Sequence, residues 1–250
     1  MTASTTRNSL LVLTSVVALA LIWKLAALAV GLEIILPPPE TVGRDLLVVL
    51  RSGSFWTAVE ATVIRGLASF LISGLAGIAV GLLVGFSASA YWLLQPLLTV
   101  IRSTPVMSVI LLALIWFRGD LMPVFVGFLM AFPIVCGNVI EGIRGVDRQL
   151  LEMARIYRIP ARRLLFEVQL PSMAPFLMAG LSTAMGITWR AIIAAEVLSQ
   201  PLQGLGTQMQ TARLFLDTAR LFTLTAAILV IGFCFESLLR VLESRFQEWR

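Results

Sequence analysis

Runs of about twenty apolar residues, the length that crosses the hydrocarbon core of a bilayer, recur along this 250-residue chain. A soluble domain has no place for several of them, because a folded globule still exposes much of its chain to water. Composition agrees: 58% of residues are hydrophobic and 13% charged, against roughly 25% charged in ordinary soluble domains. The chain therefore reads as an all-α, polytopic membrane protein with about six transmembrane helices. The spans fall at roughly Leu10–Val30, Gly66–Phe86, Trp92–Phe117, Leu121–Ile140, Met173–Leu198 and Leu221–Leu242. The first is too long for a signal-peptide core and no small-residue cleavage site follows it, so it is expected to be retained.

Connections carry their own signals. Pro37-Pro38-Pro39 marks a turn in a polar segment, and Phe55–Arg65 reads as an amphipathic approach to the second span. Ser103-Thr104-Pro105 interrupts the third span, and Gly119-Asp120 makes a short turn. Ser199–Arg220, with Pro201, Gly204 and Gly206, reads as a re-entrant loop or connector on the outer face. One transmembrane domain is expected over the whole chain.

The net charge of +5 is almost all arginine, with Lys24 the sole lysine and no histidine. Arg144, Arg148, Arg155, Arg158, Arg162 and Arg163 crowd one loop; Arg7 precedes the first span, and Arg240, Arg245 and Arg250 follow the last. With six spans all three clusters fall on one side, which the positive-inside rule makes cytoplasmic. Both termini are expected there. Basic residues without interleaved aromatics exclude a nucleic-acid footprint and fit anionic lipid instead. Cys136 and Cys234, distant and without histidine, offer no metal site and read as small core residues.

The segment 141–171 is too patterned for a passive connector. Leu150, Leu151, Ala154 and Tyr157 stand at helical spacing, with Glu152, Arg155 and Arg158 on other faces. Pro160 disfavours helix at Ile159 and can start another. Two short helices at an angle, the second ending at Leu170-Pro171, would form a cytoplasmic knob able to pass force to the spans.

Glu152-Met153-Ala154, followed at the right spacing by Val168-Gln169-Leu170-Pro171, resembles the EAA loop of binding-protein-dependent ABC importer permeases. Leu36-Pro37-Pro38-Pro39, the run Leu111–Phe117 and Gly204-Leu205-Gly206 resemble the nitrate/sulfonate/taurine-type branch. The resemblance implies a type I importer permease fold, with the last five spans as transport core. It implies a second permease copy, most simply a homodimer. Two cytoplasmic ATPase subunits would each receive one loop, and an extracytoplasmic binding protein would deliver a small polar or anionic solute. ATP and magnesium would belong to the ATPase; this chain has no phosphate-binding glycine loop and is expected to be a transport subunit, not an enzyme. Two departures stand out. Met153 replaces the second motif residue. Arg158 occupies the motif's glycine position, where a left-handed turn would close the first helix; arginine resists that geometry, so the break is expected to rest on Pro160.

Other residues are weighed against plainer roles. Gly77, Gly81 and Gly85 recur at four-residue spacing, which permits close helix approach, whether for static packing or for sliding. Glu152 is either a docking contact or a solvated charge. An arginine deep in a span is unfavourable by about 2.5–3.5 kcal/mol and usually faces protein or a wet cavity. Arg190 and Arg102, the latter beside Thr104, are thus candidates for the translocation path, with a bridge from Arg190 to Glu236 as the alternative. Glu196 is expected near the outer surface, and Lys24 to snorkel. Rival readings are a lipid-acting membrane enzyme, which would need clustered His or acidic residues, and a channel or ATP-independent carrier, which would need no knob.

Overall fold

The computed structural model describes residues 2–247; Arg250, counted above among the basic residues, lies outside them. The described chain is helical from end to end. Helix α1 is Thr2–Val30, α2 Pro39–Leu50, α3 Gly53–Phe86, α4 Ala88–Ser103, α5 Val106–Trp116 and α6 Leu121–Arg144. Helix α7 is Arg148–Ile156 and α8 Ala161–Leu164; a π-helical turn at Leu165–Gln169 leads into α9, Leu170–Ser199. Helices α10, Leu205–Leu214, and α11, Thr218–Gln247, complete the chain.

Among the described residues four helices are long and apolar enough to cross a membrane: α3, α6, the continuous rod 161–199 and α11. A fifth span is a bent pair, α4 with α5, turning by 98°. Helix α1 runs 29 residues and contains the expected first span Leu10–Val30. Leu75, Leu83, Leu93 and Ile115 are each more than 70% exposed, at 72, 72, 82 and 76%. Such a surface suits hydrocarbon.

The bend in the third span follows from Pro105, whose ring disfavours helix at the preceding residue. Thr104 is extended (φ −72°, ψ 126°), and its hydroxyl donates to the Val100 carbonyl at 2.7 Å, satisfying a free end of α4. Elsewhere the helices are more continuous than the sequence suggests. Phe55–Arg65 is no separate approach but the first three turns of α3, whose 34 residues extend roughly 51 Å at 1.5 Å per residue. The Pro37–Pro39 segment starts helix α2, whose proline at the first position lacks only an N–H that would be unpaired there. Its buried Val42 and Val49 face inward, and Asp45 accepts two hydrogen bonds from Arg220 of α11 at 2.8 and 2.9 Å.

At the centre, α6 lies between α3 and α9. Gly77, Gly81 and Gly85 face it: a Cβ on Gly77 would stand 2.8 Å from Val135 Cβ, and one on Gly81 2.7 Å from Val139 Cβ. Real Cβ atoms do not approach so closely, so the three glycines set the α3–α6 distance. Val135, Val139, Ile143, Met173 and Ala184 fill the seam with α9. Beneath the bend, Ile110 and Ala113 of α5 pack on Met122, Val126 and Ala195. Cys136 belongs to the core, whereas Cys234 is exposed on α11, contrary to the expectation for it.

Candidate functional site

Three places merit description: the α7 knob, the intramembrane arginines, and an ionic cluster at the end of the bundle opposite α7.

Asp147 caps α7 by accepting a hydrogen bond from the Gln149 N–H at 2.8 Å. The other end closes by a Schellman motif: the Ile159 N–H donates to the Ala154 carbonyl at 2.9 Å, and the Arg158 N–H to Arg155 at 3.0 Å. Arg158 sits at φ +53°. It adopts the left-handed turn that its motif position requires, correcting the expectation that Pro160 alone makes the break. Two backbone hydrogen bonds outweigh a left-handed penalty of about 1–2 kcal/mol. A second correction concerns Leu170-Pro171, which ends nothing. Pro171 would leave the Glu167 carbonyl unpaired and clash with it in a regular helix. The π-helical turn just before it, closed by the Leu170 N–H on the Leu165 carbonyl, widens the helix and lets it run on into α9. The knob is therefore one short helix, α7, mounted on a rod that becomes the fifth span.

The face of α7 is turned outward more than its spacing implies. Ala154 is 3% exposed and anchors the inner side, while Ile156 and Tyr157 are 78 and 74% exposed. Leu150 and Met153 are also exposed, alongside Glu152 and Arg155.

Of the arginines, Arg190 is exposed and donates from Nε to the Gly186 carbonyl at 3.1 Å. It does not bridge to Glu236, which pairs with Arg240 one turn on, at 2.7 Å. Arg102 reaches across to α6, where Nη2 donates to the Pro133 carbonyl at 2.6 Å. Lys24 pairs with Glu40, so it does more than snorkel.

In the cluster opposite α7, Glu196 lies at the end of its span, as expected, but withdrawn from solvent. Its side chain is fully buried, at 0% exposure. Arg65 Nη1 donates to it, Thr62 Oγ1 stands 2.9 Å from both carboxylate oxygens, and the Gly206 N–H donates at 3.0 Å. Glu196 thus accepts from the N-terminus of α10, where a carboxylate is favoured. Arg65 continues outward, its Nη2 donating to Asp120 at 2.7 Å and to the Gln203 carbonyl at 2.6 Å. The Leu205 N–H donates to Thr62 at 2.9 Å. Gly204 and Gly206 are required by approach: a Cβ on Gly206 would meet Glu196 Cβ at 2.6 Å. Segment 199–220 is thereby pinned through α10 onto α3 and α9. Sequence reading placed Arg65 at the edge of an amphipathic segment; an arginine one turn after Thr62 in an apolar helix was the available signal.

A family described as "Binding-protein-dependent transport system inner membrane component" matches residues 73–248. SsuC of Bacillus subtilis, whose name refers to transport of aliphatic sulfonates, is 29% identical over 231 residues, covering 92% of this chain and 83% of that one. The taurine transport system permease protein TauC of Escherichia coli is 28% identical over 242 residues, 94% of this chain and 88% of its own. Among solved structures, an amino acid ABC transporter chain superposes with a TM-score of 0.61 at 19% identity, over 76% of this chain and 90% of that one. A MetNI methionine ABC transporter chain, in an inward-facing conformation, gives 0.59 at 18% identity, over 80 and 94%. At those identities the likeness is one of fold. With a family match over most of its length and a multi-pass fold of the same kind, this chain belongs to the inner membrane components of binding-protein-dependent transport systems.

Proposed function

We propose that this chain is the membrane-spanning permease of an ATP-driven importer for a small polar or anionic solute. Two copies surround a central path, with two cytoplasmic ATPase subunits below and an extracytoplasmic binding protein above. ATP and magnesium reside in the ATPases. Both termini and the 141–171 segment face the cytoplasm, as the arginine clusters favour. The names of the sulfonate and taurine relatives support an anionic or zwitterionic solute.

The observation that carries this reading is the mounting of α7. A helix presenting Ile156, Tyr157 and Met153 outward has no apolar partner within the described chain, so a groove on another subunit would complete it. One side joins α6 by three residues and the other continues into the 161–199 rod. Movement of a docked ATPase is thereby transmitted to the two central spans as leverage. Glu152, Met153, Ala154, Arg155, Arg158, Ile159 and Pro160 form the docking face and its turn, and Leu170 and Pro171 the shoulder. Arg190, Arg102 and Thr104 border the path.

The test is co-purification of the complete transporter and its stimulated ATPase activity. Ile156→Asp with Glu152→Ala should lower both at least tenfold while the permease stays in the membrane at its normal level. Unchanged co-purification and activity would remove α7 from the interface.

A further inference from the structure

Helix α4 carries a polar stripe inside an apolar span. Tyr91, Gln95, Thr99 and Arg102 succeed one another at three or four residues, hence on one face, while Trp92, Leu93, Leu97 and Val100 are exposed apolar residues on the others. Opposite them α6 presents Gly137, Glu141 and Arg144 at the same periodicity. Between the two stripes lies a cleft of about 320 Å³, at the small end of ligand pockets, which run roughly 300–1,000 Å³. Tyr91 and Arg144 form its mouth, at the end of the bundle that bears α7. Arg102, itself exposed, lies roughly 16 Å farther along α4 at 1.5 Å per residue, and its guanidinium rests beside Gly137 of α6.

Each arginine is held in place without being neutralised. The guanidinium of Arg144 stacks over the Tyr91 ring, 3.7 Å from its centroid. Arg102 lies against α6 where Gly137 leaves room: a Cβ there would collide with the guanidinium. Among the described residues its one hydrogen bond to protein, to the Pro133 carbonyl, uses a single donor of five. Among the described residues neither arginine has a carboxylate within 4 Å. Glu141 is the one acidic residue lining the cleft, which leaves an excess of positive charge. Guanidinium forks match the oxygens of sulfonate and phosphate groups with paired hydrogen bonds.

We propose that the cleft between α4 and α6 is a binding site for an oxyanion group, a sulfonate or phosphate, gripped by Arg102 at the far end and Arg144 at the mouth. The site deepens the importer reading, on which it rests for the anion's route, by giving the path a station on its cytoplasmic side. The same chemistry could be supplied by a free anionic solute or by the headgroup of an anionic lipid in the adjoining leaflet.

Intact permease in nanodiscs of phosphatidylcholine would be titrated with methanesulfonate at constant ionic strength, followed by calorimetry. A parallel arm would count phosphatidylglycerol molecules retained by the detergent-purified protein in native mass spectrometry. Methanesulfonate binding that weakens at least tenfold in Arg102→Gln and in Arg144→Gln supports the site with a free solute as occupant. No methanesulfonate binding, but retained phosphatidylglycerol that both substitutions release, supports it with lipid as occupant. Binding of neither probe, or binding that neither substitution alters, overturns the proposal. Arg144 sits at the mouth, away from the packed core, so its variant reports even if Arg102→Gln does not fold; circular dichroism and elution volume confirm the fold of each. ATPase co-purification does not involve the cleft, so failure of this site and failure of the importer reading are distinguishable.

Discussion

The two ends of this bundle handle charge in opposite ways. At one end Glu196 and Arg65 are withdrawn from solvent and bonded to each other, to Thr62 and to the backbone of α10. At the other, Glu152, Arg155 and Arg158 stand exposed on α7, mixed with exposed Ile156 and Tyr157. The first arrangement is complete within one chain. A buried ion pair gains little net stability from its own attraction, but removing one member leaves the other uncompensated. The second is incomplete: exposed charges contribute little to stability, and exposed apolar groups beside them call for a partner. One end is completed within the subunit; the other, on the importer reading proposed above, is left for a partner to complete.

The comparison breaks most decisively at Glu196. Glu196→Ala leaves Arg65 buried against a cavity, and should lower stability by about 3–5 kcal/mol, read as a large fall in the thermal midpoint of detergent-purified protein. A midpoint within a degree of the natural chain would show that the cluster is not what pins α10.

At the α7 end the sign reverses. Arg158→Gly removes a side chain from a left-handed turn and should stabilise the Schellman closure by about 1 kcal/mol. Slower amide exchange at Ile159, with Pro160→Ala leaving it unchanged, is the expected pattern. If Pro160→Ala instead speeds exchange through α7, the proline carries the turn.

Asp120 sharpens the contrast within the cluster itself. Its side chain is 74% exposed although it bonds the same arginine, so Asp120→Asn should lower stability by no more than about 1 kcal/mol. A loss equal to that of Glu196→Ala would mean that exposure does not rank the two carboxylates.

The smallest effect is expected at Glu40. Its hydrogen bond with Lys24 holds the carboxyl below its ordinary range. A lowered folded pKa stabilises above the unfolded value, near 4.5, and the contribution fades as pH falls through the folded value. Because the carboxyl is half exposed and its pair with Lys24 is screened by solvent, titration from pH 6 to pH 3 should give superimposable melting curves for the natural chain and Glu40→Gln. A difference between them would make the α1–α2 link a true fastener.

Much of this was legible without coordinates. Hydropathy alone supplies the spans, and Pro105 supplies the bend. What misled was local punctuation read in isolation. Arginine is intrinsically reluctant to turn left-handed, yet at Arg158 the hydrogen bonds closing α7 override that reluctance. Leu170-Pro171 was read as a stop, yet one wide turn carries the helix past it. The Pro37–Pro39 run concealed a helix start.

By itself the sequence determined that the chain spans a membrane, where its long apolar helices lie and which loop projects. These depend on hydrophobic length and periodicity, properties of neighbouring residues. Only the tertiary structure decided that Arg65 meets Glu196, 131 positions away, that Gly206 stands where it does so that α10 can touch that carboxylate, and that Arg102 and Arg144 share one cleft. A charge in an apolar segment announces that it needs a partner. Which partner it finds depends on how helices remote in sequence pack side by side, and no local pattern encodes that.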